Sequence, residues 1–174
     1  MEELVRQMQD FFAFKLDETK VEAFAHQIAL NVIPHIDTPQ ENGYTKEEMK
    51  MVNETNKIMH SEFAVSATCV RVPVLRSHSE SITVTFEDDV DVNVEEAREA
   101  LASFENVELV DDLKNNVYPM PMTATDTDET YVGRVRKDIS ASNILHLWGV
   151  ADQVRVGAAT NSVRIAQKWI ELEC

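Results

Sequence analysis

Glycine is scarce in this sequence, with only Gly43, Gly133, Gly149 and Gly157 among 174 residues. No two of them lie close enough to form G-x-G-x-x-G or a phosphate-cradling loop, so these residues contain no glycine-rich nucleotide loop. Cysteine is nearly as rare. Cys69 and Cys174 form no CxxC or metal spacing and make a poor disulfide framework, so both read as reduced thiols. Positive charge is also short, 16 Lys and Arg against 31 Asp and Glu, for a formal net charge of -15. No Lys/Arg run could track a phosphate backbone, which argues against nucleic acid and anionic membrane as partners. No apolar run approaches the roughly 18 to 20 residues that span a bilayer, and MEELVRQMQD lacks the apolar core of a signal peptide. The expectation is a cytoplasmic protein. The five histidines, His26, His35, His60, His78 and His146, show no i, i+4 pair and no HExxH, so no metal site is expected.

What is present suits a globular chain. With 44% hydrophobic residues, 1–174 reads as a single domain able to bury roughly two-thirds of its unfolded surface. Leu4, Val5, Met8, Phe11 and Phe12 recur at three and four spacing, predicting a helix over 1–13 with Glu2 and Glu3 at its positive end. Residues 21–35 read as extended, although Pro34 excludes a regular central strand there, and 39–44 as a loop. Thr45 and Glu48 form a capping box that opens a second helix running to about His60. Met49, Val52, Met59, Met51, Thr55 and Ile58 are expected to face inward, and Glu47, Lys50, Glu54 and Lys57 form a charged row. By itself that row reads as a solvated face of ion pairs.

Residues 63–75 read as a strand, and Ser79 to Glu87 as its antiparallel neighbour, with Ile82, Val84 and Phe86 on one face. Asn93 caps a third helix whose buried side is Val94, Ala97, Ala100, Leu101 and Phe104. A short strand at 107–110, a proline-restricted edge or loop at 115–122, an exposed strand at 131–137 and a more buried one at 143–151 follow. A final helix over about 157–171 carries a broad apolar side through Ala159, Val163, Ile165, Ala166, Trp169 and Ile170. The order favours an α+β domain with one mainly antiparallel, mixed sheet and helices on one face.

The stretch SATCVRVPVLRSHSE holds the residue types best suited to a site. Arg71 offers a planar fork that grips a carboxylate or phosphate, and His78 exchanges a proton near neutral pH. In a straight strand they would face opposite sides about 23 Å apart at roughly 3.3 Å per residue. A shared site therefore needs a break, expected at Pro73 and the Arg76–Ser77 step. The plain alternative, solvated charges at a strand end, stays open on these residues alone.

The segments HQIALNVIPHID, GYTKEEMKMVNETNKI, ATCVRVPVLRSHSE, NNVYPMP, YVGRVRKD and ADQVRVGAATNSVRIAQ occur in the order found in the C-terminal, dimerising and substrate-binding part of aspartate-semialdehyde dehydrogenase. The chain resembles that family across essentially its whole length. The resemblance implies a fold shared with the C-terminal domain of glyceraldehyde-3-phosphate dehydrogenase. It assigns substrate-carboxylate binding to Arg71 and acid/base catalysis to His78. It also places Glu47 and Lys50 against substrate and phosphate, and Gln153 against the nicotinamide of NADP. Ser77 stands where glycine is common before the histidine, and Val156 replaces a usual basic or aromatic residue, which puts local geometry in question.

The family reaction also uses a cysteine in an SNCS-like motif and an N-terminal nucleotide-binding domain. Neither is in this sequence, and Cys69 falls on a structural position of the family pattern. The favoured expectation is the C-terminal half of an NADP-dependent aspartate-semialdehyde dehydrogenase of amino-acid biosynthesis (lysine, threonine, methionine). It would bind a small anionic substrate and phosphate, form a homodimer through an apolar sheet face, and be inactive alone with no cofactor bound. The alternative is a non-catalytic dimerisation module pairing with itself or a full-length relative. A third reading is an unrelated small-anion binder using Arg71 and Lys50.

Overall fold

The computed structural model describes residues 1–173, and its contacts group into two compact units, Met1–Leu75 and a second from Arg76 onward. Cys174, one of the two expected thiols, lies outside the described residues.

In the first unit, helix α1 (Glu2–Phe12) buries Glu3, Leu4 and Gln7. Leu4 packs with Ile28, Ala29 and Ile33. The two polar residues beside it act as backbone partners. Glu3 accepts from the N–H groups of Glu22 and Ala23, and Gln7 accepts from those of Ile28 and Ala29 at 2.9 and 3.0 Å. The stretch 21–35, expected to be extended, thus spends four of its donors on side chains of α1 and forms no strand. Helix α2 (Lys46–Met59) opens at Thr45 with both arms of the capping box formed. Its inward face departs from expectation. Met51, Ile58 and Met59 are exposed, and the buried residue of α2 is Glu48.

The strand expected over 63–75 does not form. Arg71 exchanges two backbone hydrogen bonds with Ile33, at 2.9 and 3.0 Å, and no other ladder pairing reaches the segment among the described residues. Pro73 lacks a donor, and Val70, Val72, Val74 and Leu75 are exposed, so β propensity has no neighbouring strand against which to act.

The second unit is built on a four-stranded sheet in the order β1-β4-β3-β2, from β1 (His78–Thr85), β2 (Val107–Leu109), β3 (Thr130–Lys137) and β4 (Ile144–Ala151). β1 pairs antiparallel with β4 rather than with the 63–75 segment, β4 antiparallel with β3, and β2 parallel with β3. Helix α3 (Val94–Ser103) is capped by Asn93, which accepts from the N–H groups of Glu95 and Glu96. Its Val94, Ala97 and Leu101 join Val84, Val132, Val135, Leu145 and Leu147 in one apolar core. The architecture is α+β with a mixed sheet.

Strand β3, expected to be exposed, lies inside the sheet with Val132, Gly133 and Val135 buried, because β2 and β4 flank it. Phe86, placed on the buried face by alternation, follows the end of β1 and is exposed. The face of the sheet away from α3 carries Ser81, Thr83, His146 and Trp148 by strand alternation, a mixed surface in place of the apolar one expected. A short helix, α4 (Pro121–Ala124), was not expected. The final helix α5 (Thr160–Glu173) is preceded by a π-helical turn at Arg155–Ala159, and its Val163, Ile165, Trp169 and Ile170 are all exposed.

Candidate functional site

The five residues singled out by sequence fall into two groups, one in each unit. In the first, Arg71 lies on an irregular segment whose backbone is held by Ile33, and its guanidinium sits 5.3 Å from the centre of the Phe24 ring. No carboxylate pairs with it among the described residues. That leaves its fork available to an anion.

Glu47 and Lys50 face each other at i, i+3 on α2, bonded at 2.9 Å and partly exposed. The Glu47 carboxylate holds the Lys50 ammonium above the ordinary lysine range. Between them in sequence is Glu48, whose two oxygens accept from Thr45 N–H at 2.8 Å and Cys69 N–H at 2.9 Å. Those backbone bonds hold its carboxyl below the ordinary range. Glu48 therefore closes the capping box and also ties α2 to the segment that carries Arg71, two residues beyond Cys69. The capping-box pattern announced the first bond; nothing in the sequence announced the second.

In the second unit, His78 is the first residue of β1 and pairs with Ala151, the last residue of β4. Its side chain is exposed. Gln153 follows β4 by two residues, and its Oε1 accepts from the Ser77 N–H at 2.8 Å. The structure thus brings Gln153 to the residue preceding His78. The break expected at the Arg76–Ser77 step is present: Ser77 has φ +75, in the left-handed region that favours glycine, which gives a backbone reason for the glycine common there in the resembling family.

Two residues that sequence reasoning passed over, Asp152 and Thr125, frame this corner together with Arg76. Asp152 is fully buried and accepts from the N–H groups of Asp126, Val154 and Arg155. Arg76 adds an ion pair to Asp152 at 2.9 Å and another to Asp126 at 2.8 Å. Burial pushes the Asp152 carboxyl up, but the three backbone bonds and Arg76 together outweigh it and lower the carboxyl to about 2. Thr125 meets the Ser77 hydroxyl at 2.9 Å. The only hint in the sequence was the Ala-Asp-Gln run, which placed a carboxylate next to Gln153.

Comparison with known proteins agrees with the motif order. The family model described as "Semialdehyde dehydrogenase, dimerisation domain" matches residues 1–156. An aspartate-semialdehyde dehydrogenase from Campylobacter jejuni is 61% identical over 173 residues, which cover 99% of this chain and 50% of that protein. Among solved structures, aspartate semialdehyde dehydrogenase II from Vibrio cholerae complexed with ASA superposes with a TM-score of 0.90 at 40% identity, over 98% of this chain and 49% of that one. The Candida albicans aspartate semialdehyde dehydrogenase solved with NADP superposes with a TM-score of 0.59 at 25% identity, over 73% of this chain and 40% of that one. The chain spans about half the length of the relatives it matches.

Proposed function

The chain belongs to the semialdehyde dehydrogenase family through its dimerisation domain, and from that membership we propose that it supplies the C-terminal half of an NADP-dependent aspartate-semialdehyde dehydrogenase. The reaction class is reductive dephosphorylation of aspartyl phosphate to aspartate semialdehyde, in amino-acid biosynthesis in the cytoplasm. The observation that carries this reading is the family match over residues 1–156; a guanidinium with no carboxylate partner among the described residues, a Glu/Lys pair at one helical turn and an exposed histidine at a strand start stand at the positions to which the resemblance assigns function.

The roles follow from the side chains. Arg71 would clamp the substrate carboxylate, since a guanidinium fork accepts two carboxylate oxygens at once. Lys50 would bind phosphate oxygens, with Glu47 holding the ammonium charged and in place. His78 would move the proton, donating to the developing alkoxide in reduction and accepting in the reverse direction. The reduced cofactor, NADPH, would supply the hydride in reduction, and NADP⁺ would accept it in the reverse direction. Gln153 fits a nicotinamide amide, because its carbonyl oxygen is spent on Ser77 N–H and its NH₂ has no partner among the described residues. The sequence contains neither a glycine-rich loop for the phosphates nor the family's cysteine motif, so these 174 residues are expected to be inactive alone.

The test is to assay the purified chain for phosphate- and NADP-dependent oxidation of aspartate semialdehyde. No turnover is expected, and clear turnover would overturn the claim that these residues are half of a site. The family's description as a dimerisation domain also favours a second reading, a non-catalytic module that pairs with itself or a full-length relative. Sedimentation at micromolar concentration checks self-association, which both readings expect, and a strict monomer would count against the pairing.

A further inference from the structure

We propose that Gln153 is a positioning residue for His78, acting through the Ser77 peptide. The proposal rests on the reading of His78 as the acid/base. His78 has no side-chain hydrogen bond or ion pair among the described residues, so its imidazole is placed by the backbone that leads into β1. That backbone leaves the ladder in an unfavourable conformation. A non-glycine residue at φ +75 crowds its Cβ against the backbone and persists only where neighbours hold it.

The neighbours are specific. Regular β1–β4 pairing ends at the rung His78–Ala151, and beyond that rung side chains replace it. Arg76 is held by Asp126 and the buried Asp152. Ser77 donates its N–H to Gln153 and its hydroxyl to Thr125. The direction of the second bond follows from proton count: the Thr125 hydroxyl donates its one proton to the Pro121 carbonyl at 2.8 Å, so it can only accept from Ser77. Ser77 is itself buried. Of these contacts, the bond from Gln153 alone grips the peptide group that sets the direction of the chain entering His78.

This gives one carboxamide two faces. Its oxygen fixes the residue before His78, and its NH₂ is left to face whatever lies outside. Gln153 thereby becomes a group whose loss moves His78 without touching it.

The experiment is NMR on the isotope-labelled 174-residue chain, free of substrate and cofactor, comparing Gln153→Met, Gln153→Glu and Gln153→Asn. Methionine keeps length and packing but offers no comparable acceptor; glutamate keeps the acceptor. In Gln153→Met, exchange of the Ser77 amide should speed about tenfold, the size expected for one lost hydrogen bond, and the His78 ring resonances should shift or broaden. The Val132 amide, inside the sheet on β3, should be unchanged. Gln153→Glu should match the unsubstituted chain at both sites. Unchanged Ser77 exchange and His78 resonances in Gln153→Met would overturn the proposal, as would equal changes in Met and Glu variants. If Gln153→Met also loses protection at Val132, the fold has been lost and Gln153→Asn decides. Asparagine is one methylene shorter and keeps the polarity but not the reach to the Ser77 N–H, so faster Ser77 exchange with a displaced His78 ring signal supports the proposal and unmoved signals overturn it. Because no substrate enters the measurement, a failed acid/base reading would appear in turnover assays and not here.

Discussion

At the scale of single residues, a buried carboxylate does more than any candidate catalytic group to hold the second unit together. Asp152 has no exposed surface and accepts from three backbone N–H groups and Arg76. Replacing it with asparagine removes the charge and leaves the half-buried Arg76 guanidinium with Asp126 as its remaining ion-pair partner, which is expected to cost about 3 kcal/mol at neutral pH, measured by urea unfolding. The pH dependence has a definite sign. Asp152 titrates near 2 in the folded chain, below the ordinary aspartate value of about 4, so its contribution is complete above about pH 4. It is lost as the pH falls toward 2. Asp128 follows the same course, drawn down to about 2 by Arg155 and Thr160, and Asp138 is lowered by His146 and Ser140. The Asp152→Asn variant should therefore lose less stability than the unsubstituted chain across this acid range. Equal acid sensitivity in both proteins would contradict the assignment.

At the scale of elements, β3 carries both a register shift and a close approach that requires glycine at position 133. The register of β3 against β4 shifts between Gly133 and Arg136. The shift is fixed by Asp111, which accepts from Arg134 N–H at 2.8 Å and Val135 N–H at 2.9 Å and pairs with Arg98. A Cβ on Gly133 would run into the Val110 carbonyl oxygen and come within 2.7 Å of Pro119 Cδ. Gly133→Ala should cost about 3 kcal/mol, since backbone and a proline ring must both move. Gly43→Ala meets no atom but has φ +83, so its penalty is conformational and should be smaller. Comparing their thermal midpoints checks the order. The helices show the opposite kind of legibility: Thr45–Glu48 and Asn93–Glu96 were readable as helix starts because a cap acts over three residues and needs no distant partner. The 63–75 segment has strand-like residues but no strand, because a strand is defined by its neighbour, and among the described residues only Ile33 answers Arg71.

At the scale of the whole molecule, apolar side chains are unevenly covered. Phe12, Phe14, Val163, Ile165, Trp169, Ile170 and Leu172 are all well exposed, with Phe14 at 97% and Leu172 at 76%. Surface of this kind marks faces that meet another protein surface. The isolated chain is expected to bind a hydrophobic fluorescent dye. The double substitution Trp169→Gln with Ile170→Gln should reduce that binding while leaving the unfolding midpoint within about 2 °C, because neither side chain is packed. A large drop in the midpoint would show that α5 is buried in solution.

The sequence by itself determined the helix starts, the α+β class, the absence of a glycine-rich loop and the residues Arg71, His78, Glu47, Lys50 and Gln153 as candidates. These are local or compositional properties, carried by spacing and side-chain chemistry, except that Glu47, Lys50 and Gln153 rest on the resemblance of motif order to the family. Only the tertiary structure decided that residues 21–35 are held by Glu3 and Gln7, that β1 pairs with β4, and that Glu48 reaches the segment of Arg71. It also decided that Ser77, at the step where a break is expected, carries the strained turn into His78 under the hold of Gln153 and Thr125. The reason is the same in each case. Backbone donors take whichever acceptor folding brings within about 3 Å, and an acceptor 76 residues away leaves no periodic trace in the chain.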